Sequence, residues 1–120
     1  MGAYEPKFLY GDTVTGTVSA TVVGGQLLAV SGSGTVGPAG AASEAVVGVA
    51  AHDATTVVPL LNYFPRGKIH ISTASGGITA GARVSAGAAG TVATSAAALP
   101  NVGIALTTAL DTAAVEWMEC

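Results

Sequence analysis

Two histidines are the first residues to test for chemistry. His52 is followed directly by Asp53 in a serine-rich chain, so a Ser-His-Asp hydrolase must be considered. Adjacent strand residues point to opposite faces, which makes a hydrogen-bonded series through this pair difficult, and no G-x-S-x-G elbow occurs. His70, in KIHIS, is expected to point outward and has no third metal ligand nearby. We therefore predict ordinary surface residues, with no catalytic residue, no metal and no enzyme activity.

A glycine-rich stretch raises the possibility of nucleotide binding. GSGTVG at residues 32–37 matches the G-x-G-x-x-G fingerprint, follows a strand-like QLLAVS, and precedes Asp53 at roughly the expected spacing of about 20 residues. The fingerprint must open a helix, but Pro38 and Gly40 follow it, and residues 45–50 already have the pattern of a strand. The stretch is predicted to be a hairpin loop, and no cofactor is expected.

Composition and charge exclude other classes of function. Only 9% of the 120 residues are charged, against about 25% in an average domain. The net charge is −3, and Arg66 and Lys68 form the only close basic pair, so no nucleic-acid partner is expected. A low charge suggests a surface that neighbours cover. The one cysteine, Cys120, excludes an internal disulfide and is compatible with a reducing cytoplasm.

No segment of the sequence indicates a membrane. Residues 1–12 contain Glu5, Pro6 and Lys7 where a signal peptide would have an unbroken apolar run. Residues 84–110 are uncharged, but their glycines, Pro100 and hydroxyl groups disfavour a helix that spans lipid. Short strands account better for this run.

Alternation with a period of two predicts strands along most of the chain. In TVTGTVSATV, residues 13–22, hydroxyl side chains lie on one face, and valine, glycine and alanine lie on the other. KIHIS alternates likewise, with Ile69 and Ile71 expected inward, and VEWME places Val115 and Trp117 on one face. Glycine pairs between these segments mark turns. The sequence predicts an all-β fold.

The chain also repeats itself. The first series contains Val30-Ser31, Gly34-Thr35-Val36 and Val47-Gly48-Val49-Ala50, and the second contains Val84-Ser85, Gly90-Thr91-Val92 and Val102-Gly103-Ile104-Ala105. An acidic residue follows each series, Asp53 or Asp111. Two copies are too few for a solenoid. We predict a compact small β-barrel or sandwich, β-tulip-like, whose two related β-units cover about residues 24–120.

Residues 1–12 differ in kind from this β-domain of residues 13–120. Tyr4, Phe8 and Tyr10 supply half of the aromatic residues, beside Pro6, without strand alternation. This composition predicts an extended arm. Its aromatics either dock on a partner or pack on the arm's own domain, and both alternatives are open at this stage.

With these features the sequence resembles the capsid cement, or head decoration, proteins of tailed bacteriophages. The resemblance covers nearly the whole chain and is carried by small apolar motifs. These are YEPKF at 4–8, VVGVAAHDA at 46–54, ITAGARV at 78–84, GTVAT at 90–94, VGIAL at 102–106 and the closing AAVEW.

The resemblance implies a structural role. Such a protein, made in the host bacterial cytoplasm, joins the capsid exterior of the virion and clamps neighbouring major capsid subunits against the pressure of internal DNA. The expected partners are the major capsid protein and copies of the chain itself, as a homotrimer, through the arm residues Tyr4, Pro6, Phe8 and Tyr10. The alternative is another phage structural protein, a tail component or a β-rich attachment module. An enzyme or ligand-binding barrel is a third, weaker hypothesis.

Overall fold

The computed structural model describes residues 13–95 and 101–120. These residues form ten strands and one short 3-10 turn, Ala88–Gly90, so the predicted all-β class is confirmed. The predicted N-terminal arm lies outside the described residues. The strands are β1 (Val14–Val18), β2 (Leu27–Gly32), β3 (Thr35–Pro38), β4 (Val46–Ala50), β5 (Leu60–Pro65), β6 (Ile69–Thr73), β7 (Arg83–Ala86), β8 (Val92–Thr94), β9 (Gly103–Ala105) and β10 (Ala114–Glu119).

Strands β1–β5 close into a barrel in the order β1-β3-β2-β4-β5. The alternation predicted at residues 13–22 is present: the threonines of β1 are exposed, and Val18 is buried. The strand is shorter than that stretch, because a bend at 19–20 interrupts it before Val22 bridges to Ala54. The barrel interior is a cluster of small apolar side chains: Val18, Val22, Leu28, Val36, Ala50, Ala54 and Leu61, with Val47 and Tyr63 packed against them.

Strands β6–β10 repeat this connectivity. They form a sheet in the order β6-β10-β9-β7-β8, and a single parallel bridge between Ala74 and Val92 links its two ends. In each half the second strand pairs with the third and fourth, the fourth with the fifth, and the fifth with the first, all antiparallel. The parallel contact from first to third strand also recurs. The predicted pair of related units is confirmed. Each unit, however, begins one strand before the repeated sequence motifs, so the units span residues 14–65 and 69–119.

Two glycines at equivalent positions show why the repeated motif is needed. Gly48 in β4 lies directly against the carbonyl oxygen of Phe64, and Gly103 in β9 lies in the same way against that of Met118. A Cβ atom at either position would collide with that oxygen. Each glycine also lies beside an aromatic ring on the partner strand: Gly48 lies beside Tyr63, and Gly103 lies beside Trp117. The V-G-[VI]-A motif therefore permits the close approach of the fourth and fifth strands.

The acidic residues that follow the two series bind backbone N–H groups at positions that are not equivalent in the two units. Asp53 Oδ1 accepts a hydrogen bond from the backbone N–H of Gly24, at 2.8 Å. Asp111 Oδ1 accepts one from the N–H of Gly76, also at 2.8 Å. The bridges Val22–Ala54 and Ile78–Ala109 correspond in the two units, so the counterpart of Asp53 is Thr108, whose Oγ1 accepts a hydrogen bond from the Ala80 N–H at 3.1 Å. The acid that follows each series therefore has no shared structural role.

The two units share one core. Leu27 of β2 faces the second unit, while its neighbour Leu28 faces the barrel interior, so the first unit buries both faces of this strand. Trp117, fully buried, belongs to the shared cluster with Leu27. Its indole N–H donates to Ser72 Oγ at 3.0 Å, and that hydroxyl donates to the carbonyl of Gly25 at 2.8 Å. This relay joins the two units through the core.

The predicted orientation of KIHIS, with the isoleucines inward and His70 outward, is wrong. Ile69 and Ile71 are 60% and 65% exposed, whereas His70 and Ser72 are buried. The reason is the partner strand: β6 pairs with β10 so that His70 lies opposite Trp117, on the inward face. Buried polar atoms need partners, and Ser72 supplies one for the Trp117 indole. Because the side-chain period is two, this requirement places both isoleucines outside.

His70 belongs to a polar cluster with Glu119, which is buried like His70, and with Arg66, which is exposed. The His70 Nε2 atom lies 3.2 Å from Glu119 Oε1, and Arg66 Nε lies 3.8 Å from Glu119 Oε2. The Glu119 side chain is fully buried, and its Oε2 has no hydrogen-bond partner among the described residues. Arg66 Nε donates instead to the Cys120 carbonyl at 3.1 Å. The cluster ties the β5–β6 connection to the end of β10.

We predict that Gly103→Ala lowers the free energy of unfolding by about 3 kcal/mol, since overpacking a fixed backbone contact costs this order of energy. Chemical denaturation measures the change. Gly40→Ala is the matched control, because nothing lies within 4 Å of a Cβ at Gly40, and we expect a change within about 0.5 kcal/mol there. Equal effects of the two substitutions would contradict the close-approach explanation.

A second prediction concerns the buried carboxylate. Glu119→Ala should lower the free energy of unfolding by about 2–3 kcal/mol, because it leaves the buried His70 without its partner. Glu116→Ala, on the exposed face of the same strand, is the control, with an expected change within about 0.5 kcal/mol. If both variants melt like the wild type, the cluster does not stabilise the fold.

Candidate interaction surfaces

The residues first tested for catalysis are engaged in local structure. His52 Nδ1–H donates to the Asp53 carbonyl at 2.8 Å, and His52 Nε2 accepts from the backbone N–H of Asn62 at 3.1 Å. Both ring nitrogens are therefore occupied in the neutral form. Asp53 uses a carboxylate oxygen for Gly24. The pair lies in the loop after β4 rather than on a strand, and it supplies neither a free base nor an orienting acid to a nucleophile.

The GSGTVG stretch is the predicted hairpin. Gly32 ends β2 and Thr35 begins β3, with the turn between them at Ser33 and Gly34. Gly34 has a φ of +79°, which glycine adopts without a Cβ penalty. No helix follows, so the stretch lacks the helix N-terminus that would hold a pyrophosphate.

The described residues contain neither a cluster of metal ligands nor a membrane-spanning helix. Within residues 13–95 and 101–120, no group of three or more histidine, cysteine or acidic residues is placed to hold a metal ion. In the same ranges, no helix has the length and apolar character needed to cross a bilayer. The described parts of the uncharged run 84–110 form β7, β8 and β9, as short strands.

The second unit exposes an apolar sheet surface, which we call the outer face. It consists of the exposed side chains of Ile69, Ile71, Leu106 and Met118, together with the partly buried Ile104. The strand register places them side by side: Met118 of β10 lies opposite Ile69 on one neighbouring strand and Ile104 on the other. Ile71 and Leu106 flank the adjacent row, where Leu106 N–H donates to the Glu116 carbonyl at 2.7 Å. Contiguous exposed apolar side chains of this kind mark interaction sites.

Two charges interrupt the outer face. Glu116 lies opposite Ile71 and is exposed, and Arg83 lies opposite Ile104 at the far end of the row. Neither forms an ion pair with a described residue. An interface core depleted of charge, with single charges that fix orientation, is typical of protein–protein contacts.

A groove adjoins one end of the outer face, where the two units meet. Its volume is about 330 Å³. The first unit contributes Val23, Gly25 and Gln26, and the second contributes Ile71 and Thr73. Val23 is half exposed at its rim. Because Ile71 belongs to both features, the groove and the outer face form one continuous surface.

Sequence reasoning missed this surface because it assigned Ile69 and Ile71 to the core. A signal was present in VEWME. Strict alternation continued to the end of β10 places Glu119 inward with Val115 and Trp117, and a buried acid and indole call for polar partners on the paired strand. On β6 the residues able to serve as such partners are His70 and Ser72. Placing these two inward would have predicted that Ile69 and Ile71 point outward.

The predicted contact residues Tyr4, Pro6, Phe8 and Tyr10 lie outside the described residues. The described chain begins at Thr13, directly before β1, whose first residue Val14 pairs with Tyr63 near the end of β5. The segment that carries the four residues is therefore attached beside the β5–β6 connection.

Comparison with solved structures gives a likeness in fold. The chain is similar to the crystal structure of the N base of the head fiber protein gp8.5 of bacteriophage phi29, with a TM-score of 0.71 and 19% sequence identity. The match covers 90% of this chain and 92% of that one. No family model and no curated protein matches the sequence. At this identity the likeness establishes a shared fold, which extends over nearly the full length of both chains.

Proposed function

We propose that this chain is a structural protein of a tailed-phage virion, which decorates the outside of the capsid and cements neighbouring major capsid subunits. The observation that carries the proposal is the fold similarity to a phage head fiber base over 90% of the chain. Together with the cement-like sequence motifs, this similarity supports a role on the phage head.

The chemistry of the described residues agrees with a contact role. His52 and Asp53 are held by backbone groups, and His70 is buried against Glu119. What the second unit presents to solvent is the outer face, a surface suited to packing rather than to reaction. Cementing needs many modest contacts that symmetry and avidity multiply, and it needs no reactive group.

The proposed partners are the major capsid protein and further copies of the chain, assembled as a homotrimer on the capsid exterior. Tyr4, Pro6, Phe8 and Tyr10 serve as the capsid or subunit contacts of the arm. Burying one large aromatic side chain contributes about 1.5–3 kcal/mol, so three aromatics for each subunit, repeated over a shell, would decide whether decoration persists.

A second candidate function follows from the description of the structural neighbour. Since that protein is the base of a head fiber, the chain could act as a platform that attaches other chains to the capsid without strengthening it. Both functions require binding to the capsid. They differ in the mechanical result, because only a cement should raise the temperature at which the shell opens.

We predict that the purified full-length chain binds undecorated, expanded capsids of its phage to saturation and raises their disruption temperature. Cosedimentation measures binding, and a heat-disruption assay measures the shell. Binding without any thermal gain would favour the fiber base. No binding at all would contradict both functions.

The arm contacts are tested on the same capsids. Phe8→Ser in the full-length chain should weaken retention about tenfold or more, as for a truncated interface anchor. Leu110→Ser is the control, since Leu110 is 79% exposed in a loop of the β-domain. Both variants should melt like the wild type. If Phe8→Ser is retained as tightly as the control, the arm aromatic is not an anchor.

A further inference from the structure

We propose that the outer face, with its adjoining groove, is the docking site for residues 1–12 of a second copy of this chain. The inference rests on the proposed function for its setting, a capsid on which copies lie side by side. The contact itself requires no capsid, so it can be tested in solution.

The first support is that the outer face exposes apolar side chains to water. Ile69 and Ile71 are among its most exposed side chains, and no described residue covers them. A surface of this composition stabilises the protein only when it is removed from water, at about 25 cal/mol per Å² of apolar area. The chain therefore gains from an apolar partner at this place.

The second support is the position and direction of β1. The strand runs antiparallel to β5, so Thr13 lies beyond Val14 toward the end of β5. There the chain turns at Gly67, which has a φ of +108°, and returns as β6. A segment that continued in line with β1 would pass this turn and leave the domain. From that course its own outer face would require a reversal of direction, whereas the outer face of a second copy would not.

The third support is length. Twelve extended residues reach up to about 40 Å. Neighbouring strands are about 4.8 Å apart, so the four strands from β6 to β7 span roughly 15 Å. The segment is long enough both to bridge to a neighbour and to cross its outer face into the groove.

The fourth support is complementary chemistry. The segment combines the aromatic residues Tyr4, Phe8 and Tyr10 with Glu5 and Lys7 between them. The outer face combines apolar side chains with one acid, Glu116, and one base, Arg83, that no described residue neutralises. Lys7 would pair with Glu116 and Glu5 with Arg83, while an aromatic side chain enters the groove of about 330 Å³.

An arm-to-face contact joins two different surfaces of the same chain. Such a heterologous contact gives a ring when its rotation closes and an open filament when it does not. A ring of three copies satisfies every arm and every face, and this agrees with the homotrimer of the proposed function.

The test is the oligomeric state of the full-length chain, without capsids, by analytical ultracentrifugation. We expect a closed trimer. Two variants should each be monomeric and still unfold in one cooperative transition, at a lower temperature than the trimer because the contact is lost: Tyr4→Ser/Phe8→Ser/Tyr10→Ser, which removes the anchors, and Ile71→Asp, which places a charge on the outer face. Ile69→Lys replaces Ile71→Asp if the latter unfolds. Val57→Asp is the control, because Val57 is 88% exposed in the loop before β5, at the opposite end of that strand from the β5–β6 turn.

Mixing separates docking on a second copy from docking within one chain. The triple arm variant retains its face, and Ile71→Asp retains its arm, so the mixture should form a 1:1 complex, weaker than the wild-type ring by about 100-fold because it has a single contact. A mixture that stays monomeric would overturn the proposal, as would a monomeric wild type or a triple arm variant that still forms trimers. None of these results bears on whether the chain binds capsids, which the capsid assay decides separately.

Discussion

The rest of the structure depends on the burial of Trp117 between two copies of the same small β-unit. Its ring packs against Gly103 and into the core cluster shared with Leu27. Its indole N–H donates a hydrogen bond to the Ser72 hydroxyl, which in turn donates one to the Gly25 carbonyl of the first unit. In the first unit Tyr63 takes the equivalent place beside Gly48, and burial raises the pKa of its phenol above the ordinary value of 10.0. One aromatic ring in each unit, fully buried for Trp117 and partly buried for Tyr63, thus lies against the glycine at which the last two strands pack.

This constraint determines which surfaces remain for function. Since Trp117 and Glu119 draw His70 and Ser72 inward, β6 has to present Ile69 and Ile71 to solvent. The outer face is therefore a direct consequence of satisfying the polar atoms of the core. A chain with few charges can tolerate such a face when another protein covers it, which is the condition expected of a subunit in a virion shell.

The sequence alone predicted the all-β class, the hairpin at residues 32–37 and the duplication, because alternation and turn glycines are local signals. It also placed Val115 and Trp117 correctly on one face of β10. It failed at β6, where Ile69 and Ile71 have the higher strand and core preference, and only the cross-strand partners decide which face turns inward. The first strand of each unit was missed in the repeat, because β1 and β6 share no motif. The outer face could not be found before the register of β10 was known.

The proposed function makes this chain an exterior structural component of a phage head. The most direct measurement is its copy number on purified virions, by quantitative mass spectrometry against the major capsid protein, together with antibody labelling of intact particles. We expect surface labelling and a fixed ratio to the major capsid protein, set by the shell lattice. A few copies confined to the tail, or a chain that is labelled only after the particles are opened, would contradict it.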